Sequence, residues 1–261
     1  MPQNFPSPQY SQASRRKQFI ADFLAIAGDV RLLWVPDPAD TTASTSVDMN
    51  ARTVTWDASI ASRLSPLGYG FGQSFNGTSH LGTIPDAANL SFGDATTDSA
   101  FSLIALANIT DTAAERALLA KYTITGAQTE WLWVLTSADK MSLYLNDTSL
   151  SVQPSRLSDS AVTQGAWKLY GATYSAATGG ATAANDITLY QDGVSIASTA
   201  ANEALYAAME GTTSIVEIAA RSGASFLPGS LGFAAIVAGN LSASNHWAIK
   251  QLVNAYYELS L

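Results

Sequence analysis

The sequence predicts an all-β protein: an antiparallel β-sandwich with an N-terminal arm and helix and a C-terminal helix. Three observations predict it. From residue 70 onward, short segments rich in β-branched and aromatic residues follow one another, several with period-two alternation. Turn-forming Gly, Asp, Asn and Ser punctuate them, as in an antiparallel sandwich. Of 261 residues, 47% are hydrophobic and only 13% charged, which is ample material for a large core. The same composition excludes a disordered chain, which combines low hydrophobicity with high charge. A net charge of −8 argues against nucleic acid as a partner, because domains that bind it are basic. Without cysteine there is no disulfide scaffold, thiolate metal site or Cys nucleophile.

The elements follow in order. Residues 1–10 carry Pro2, Pro6 and Pro8 and read as an extended arm. Arg15-Arg16-Lys17 then precedes FIADFLAIAG. Read as a secretory signal this stretch is cut near Gly28, but Asp22 interrupts its apolar run. The preferred reading is an amphipathic helix. Phe19, Ile20, Phe23, Leu24 and Ala27 form its apolar face, and Gly28 suits its end. Residues 1–30 are therefore expected to form a docking segment, and 31–261 the sandwich. No run approaches the roughly 18 apolar residues that a membrane-spanning helix needs.

RLLWV at 31–35 is an apolar run stopped by Pro36 and Pro38, 39–50 reads as a loop, and RTVTW at 52–56 alternates like a strand. Strands are expected within 101–109, 129–137, 141–147, 166–175, 186–198 and 214–220. Asp192-Gly193 predicts a tight hairpin, because that turn needs positive φ and Gly supplies it without strain. Residues 137–140 are expected to close another. AAERALLAKY (113–122) has a helical pattern. At the C-terminus Ala248, Leu252, Ala255 and Leu259 share a helix face beside Ile249, Val253 and Tyr256, with Ser242 or Ser244 as cap.

From residue 70 onward the order of short motifs resembles a laminin-G-like, concanavalin-A-like lectin jelly roll. FNGTSHL (75–81) is similar to the family's early strand. Ile84-Pro85-Asp86 with Leu90-Ser91-Phe92, then FSLIALA (101–107), Ala120-Lys121-Tyr122, Gly165-Ala166-Trp167-Lys168 through Tyr174, and LYQDG (189–193) match further segments. Residues 229–236 and Leu241-Ser242 resemble the closing strand and helix start. The resemblance covers about three quarters of the chain. It implies a lectin-like domain, and in some members a calcium ion on the sandwich edge. Here Asn76 stands where Asp is usual and Ala234-Ala235 replaces an acidic pair, so no cofactor is expected; Asp94 and Asp98 are the candidate pair left for calcium.

Enzymatic activity is not expected. Glycoside hydrolysis needs two suitably spaced carboxylates, and the acidic strand triplet of the related glucanases is missing. Glu217 is a lone acid, Asp186 and Asp192 flank a strand, and Asp111 and Glu115 read as a helix start. The two histidines, His80 and His246, accompany no Gly-x-Ser-x-Gly elbow, and Gly179-Gly180 opens no phosphate loop. Most strand aromatics, including Trp131, Trp133, Tyr144, Trp167, Tyr170 and Tyr174, are expected in the core. The loop aromatics Tyr69, Phe71, Tyr206 and Phe226 are the candidate sugar platforms. The helix face of Phe19, Ile20, Phe23 and Leu24 is the candidate assembly surface. Jelly rolls of this type resemble those of phage head and tail appendages, which implies a homo-oligomeric virion surface protein with neighbouring virion proteins and host glycans as partners. The alternative is a secreted or cell-surface carbohydrate-binding module of a bacterium.

Overall fold

The computed structural model describes residues 12–37, 45–57, 63–110 and 113–261; the arm at 1–10 lies outside them. Helix α1 (Gln12–Ala27) stops where Gly28 takes a φ of 77° and its amide donates to the Leu24 carbonyl. Six shorter strands follow: β1 (Val30–Trp34), β2 (Thr45–Val47), β3 (Thr53–Trp56), β4 (Leu64–Leu67), β5 (Gly70–Asn76) and β6 (Gly82–Ile84). The central strands are β7 (Phe101–Ile109), β8 (Arg116–Thr123), β9 (Gln128–Leu135), β10 (Met141–Leu145), β11 (Ser155–Ser158) and β12 (Trp167–Tyr174). After them come β13 (Ile187–Gln191), β14 (Val194–Ser195), β15 (Ser198–Ala201), β16 (Val216–Ile218), β17 (Pro228–Ala238) and helix α2 (Ala243–Tyr257).

The strands form two antiparallel sheets. One runs β14-β13-β12-β7-β17-β5-β4, with β1 also paired to β17; the other runs β15-β11-β10-β9-β8-β16-β6-β3-β2. Between them lies the main core, which includes Trp34, Trp131, Trp133, Tyr170 and Tyr174, with Phe92 stacked on Phe101 at 4.6 Å. A second core covers the outer face of the first sheet. There α1 and α2 pack onto Ile104, Leu106, Leu169, Phe233, Ala235 and Val237. Burial on both faces explains why FSLIALANI and GFAAIVA read as continuous apolar runs instead of alternating.

The expected turns are present. Asp192 and Gly193 have φ of 51° and 77° between the paired residues Gln191 and Val194. The β9–β10 hairpin closes through Thr136 and Lys140. Ser242 caps α2 in a reciprocal capping box with Asn245.

Three expectations are corrected. Residues 113–122 do not form a helix; 116–123 are strand β8, between β9 and β16. Alanine and leucine favour helix weakly, and pairing with two neighbouring strands overrides that preference. With no helix there, Glu115 is not a helix start: it pairs with Arg221 at 3.1 Å, and Asp111 lies outside the described residues. On α2, the fully buried face is His246, Ile249, Val253, Tyr256 and Tyr257, while Ala248 and Leu252 are only half-buried and Ala255 is exposed. Third, the loop expected at 39–50 contains β2.

Candidate ligand groove between the helices

Helix α1 is held to the domain at several points. Phe19 stacks on Tyr256 at 4.6 Å and meets Phe233 edge-on at 5.7 Å; Phe23 meets Phe233 at 5.6 Å. Arg16 donates to the Val35 carbonyl at 2.9 Å and pairs with Asp37 at 3.1 Å, and Asn245 of α2 donates to the Ile26 carbonyl at 2.9 Å. The β4–β5 turn abuts the end of α2, where the Tyr69 amide donates to the Tyr256 carbonyl at 2.9 Å. Gly68 makes this approach feasible: its φ is 54°, and a Cβ would lie 2.3 Å from the Tyr257 carbonyl carbon.

A groove of about 720 Å³ opens between α1, α2 and this turn. Phe19, Leu252, Ala255 and Tyr256 give it an apolar lining, and Lys17, Gln18 and Asp22 stand along α1. The Arg15 guanidinium lies 3.5 Å from the centroid of the Tyr69 ring. Volume, apolar lining and a few polar groups match an ordinary ligand site. A smaller polar pocket, about 450 Å³, lies where β13 and β14 of the first sheet meet β11 and β15 of the second, around Arg156, Asp159, Asn185 and Thr188. There Ser198 holds the Arg156 guanidinium through two bonds, at 2.7 and 3.0 Å.

The structure separates the candidate platforms. Tyr69 lines the groove. Phe71, on β5, and Phe226, before β17, are half-buried and do not line it. Tyr206 is corrected: it is buried, and its hydroxyl donates to Asp98 Oδ2 at 2.7 Å. Asp98 also accepts from the Tyr174 hydroxyl and the Met209 amide, so its oxygens serve the fold. Burial outweighs these donors and raises its pKa above the usual carboxylate range. Asp94 instead turns back on Thr96 and Thr97, whose hydrogen bonds hold its carboxyl well below that range. The two do not join as a calcium pair, and the described residues hold no cluster of three or more His, Cys, Asp or Glu suited to a metal.

The assembly face is corrected as well. Phe19 and Phe23 are buried within their own chain, while Ile20 and Leu24 are half-buried against the same cluster, because α2 and β17 already occupy that side. Glu217 is buried and accepts from the Ser222 and Gly223 amides. The sequence reading missed two features. Arg15 looked like part of a basic run, yet it faces Tyr69. Trp247, on α2, is 49% exposed, with the Lys250 ammonium 4.6 Å from its ring centroid.

Residues 76–245, about two thirds of the chain, match the family described as the concanavalin A-like lectin/glucanases superfamily. The chain belongs to that superfamily. No curated protein matches it. Among solved structures it is similar to the receptor-binding domain of botulinum neurotoxin D, with TM-score 0.61 and 11% identity over 87% of this chain and 53% of that one. A second structure of that serotype's ligand-binding domain, in complex with N-acetylneuraminic acid, gives TM-score 0.56 and 11% identity over 88% and 52%. The CBM40 of a Ruminococcus gnavus IT-sialidase, bound to alpha2,3 sialyllactose, gives 0.50 and 15% over 69% and 97%. The chain thus spans about half the length of the toxin domains. At these identities the likeness is one of fold. No helix among the described residues is long and apolar enough to cross a membrane.

Proposed function

We propose that this lectin-like domain is not an enzyme and binds carbohydrate in the groove between α1 and α2. The observation that carries the reading is the groove's composition: an apolar lining beside Tyr69, with Arg15, Lys17, Gln18 and Asp22 at hand for hydroxyls. Sugar rings pack their C–H faces on such linings while their hydroxyls take polar partners. Two cations against one acid favour an acidic saccharide, whose carboxylate would bond the planar Arg15 guanidinium. Two structures of similar fold, bound to N-acetylneuraminic acid and sialyllactose, support the choice of sugar class.

The test is calorimetric titration of the full chain with sialyllactose and with lactose. Tight binding of the acidic sugar alone is expected, with Arg15→Ala and Lys17→Ala each weakening it about tenfold, or ~1.4 kcal/mol. Equal binding by wild type and both variants removes the groove from the argument; failure to bind either sugar removes the saccharide reading.

The domain is further proposed to stand on a virion surface or comparable assembly, docked through the proline-rich arm at 1–10. The arm's prolines and the low charged fraction, 13%, support this. The alternative remains an extracellular bacterial carbohydrate-binding module.

A further inference from the structure

One end of the second sheet is crossed by a strap, residues 202–215, tied down by polar contacts. Tyr206 and Met209 bind Asp98, the Ala207 amide binds Asp147, and Glu210 accepts from the Ser149 amide. The centre of the attachment is Lys121, the last inward-facing residue of β8 before a bulge. It is fully buried. Its ammonium lies 2.8 Å from Glu130 Oε1, 2.8 Å from Asp86 Oδ1, 2.8 Å from the Ser214 carbonyl and 3.0 Å from the Thr212 carbonyl.

Four oxygens thus surround a group that has three protons to donate. Two are carboxylate and two are main-chain carbonyl, the donor types that hard divalent cations take. Glu130 is itself fully buried, and its Oε2 has no hydrogen-bond partner. That oxygen is a spare ligand beside the ammonium, sealed from water. Glu130 Oε1 also accepts from the Ser91 hydroxyl and from the Thr212 amide and hydroxyl, so the carboxylate is fixed in place. Removing the lysine charge would leave two carboxylates facing each other, the charge of one divalent cation.

We propose that the Lys121 ammonium is a tethered substitute for a bound divalent cation, and that Asp86, Glu130 and the Thr212 and Ser214 carbonyls form a latent calcium-class site. The strap of the natural chain is then fixed without metal. A shortened side chain at 121 opens the cage to a calcium ion, with Glu130 able to grip through both oxygens and water completing the shell.

The test is thermal and urea unfolding of the full chain in EDTA and in millimolar calcium chloride. Wild type is expected to melt at the same temperature in both. Lys121→Ala is expected to melt several degrees lower in EDTA and to recover most of the loss in calcium, because a cation that binds only the folded state stabilises it. Lys121→Ala combined with Glu130→Gln is expected to show no recovery. Lys121→Met, which fills the cage without charge, is expected to be destabilised and indifferent to calcium. A wild-type melting point that rises with calcium overturns the metal-free strap. An alanine variant that ignores calcium, or that fails to refold from urea with and without it, overturns the latent site.

Discussion

His246 shows how one buried side chain sets a pH dependence. Its ring stacks on Tyr190, with centroids 3.8 Å apart and planes tilted by 13°. The stack fits because residue 171, on the strand beside Tyr190, is glycine; a Cβ there would lie 2.6 Å from the imidazole. Burial lowers the His246 pKa to about 4, so the folded chain holds it neutral. The unfolded chain protonates it near the ordinary value of about 6.5. Below that pH the unfolded state binds more protons, so this contribution is fully present above 6.5 and is lost as pH falls toward 4. The expected loss is on the order of 3 kcal/mol across that window. The carboxyls of Asp48, Asp98, Glu130 and Glu217 are raised by burial and act in the opposite sense, gaining stability on acidification. Urea unfolding of wild type and His246→Phe across the window isolates the histidine. The variant should lose distinctly less stability on acidification; an equal loss in both would assign the acid sensitivity elsewhere.

At the scale of elements, α1 is the decisive case. Its periodicity identified Phe19 and Phe23 as one apolar face, and the position of Gly28 marked its end. Which surface that face meets was not legible, because Phe233, Tyr256 and Tyr257 lie more than two hundred residues along the chain. Both rings are buried against them, so α1 is part of the core. Phe23→Ala should cost about 3–5 kcal/mol, the usual price of emptying a buried aromatic site. Chemical denaturation measures it; a loss under about 1 kcal/mol would return α1 to the status of a peripheral arm. The misread helix at 113–122 has the same origin. Arg116 and Lys121 look solvated in sequence, and it is the carboxylates of Asp139, Glu130 and Asp86, together with main-chain carbonyls, that make their burial tolerable.

For the whole molecule, the question is whether residues 1–10 join it to copies or neighbours. A truncation beginning at residue 29 would strip α1 from the second core, so it would test folding instead of assembly. The informative cut removes residues 1–11. Native mass of the full chain and of this truncation is expected to show an oligomer for the first and a monomer for the second, at equal melting temperature. Two monomers would remove the docking role and favour the carbohydrate-binding module standing alone. Exposed aliphatics also gather near the strap: Leu205 and Ile215 on its length, Leu150 and Ile124 on the turns it touches.

The sequence by itself determined the sheet-rich class, the helices at both ends and the local punctuation at Gly28, Asp192-Gly193 and Ser242. Each of these depends on contacts within a few residues, where side-chain chemistry acts directly on the backbone. It also carried the ordered motifs of the lectin-like superfamily. Tertiary structure alone decided the groove, the burial of Tyr206 and the fate of Asp98. A loop aromatic and a loop acid read alike in sequence whether they face water or each other. What separated them was the strap, which brings Tyr206 and Met209 to Asp98 across more than a hundred residues, burying the two side chains and leaving the acid half-buried.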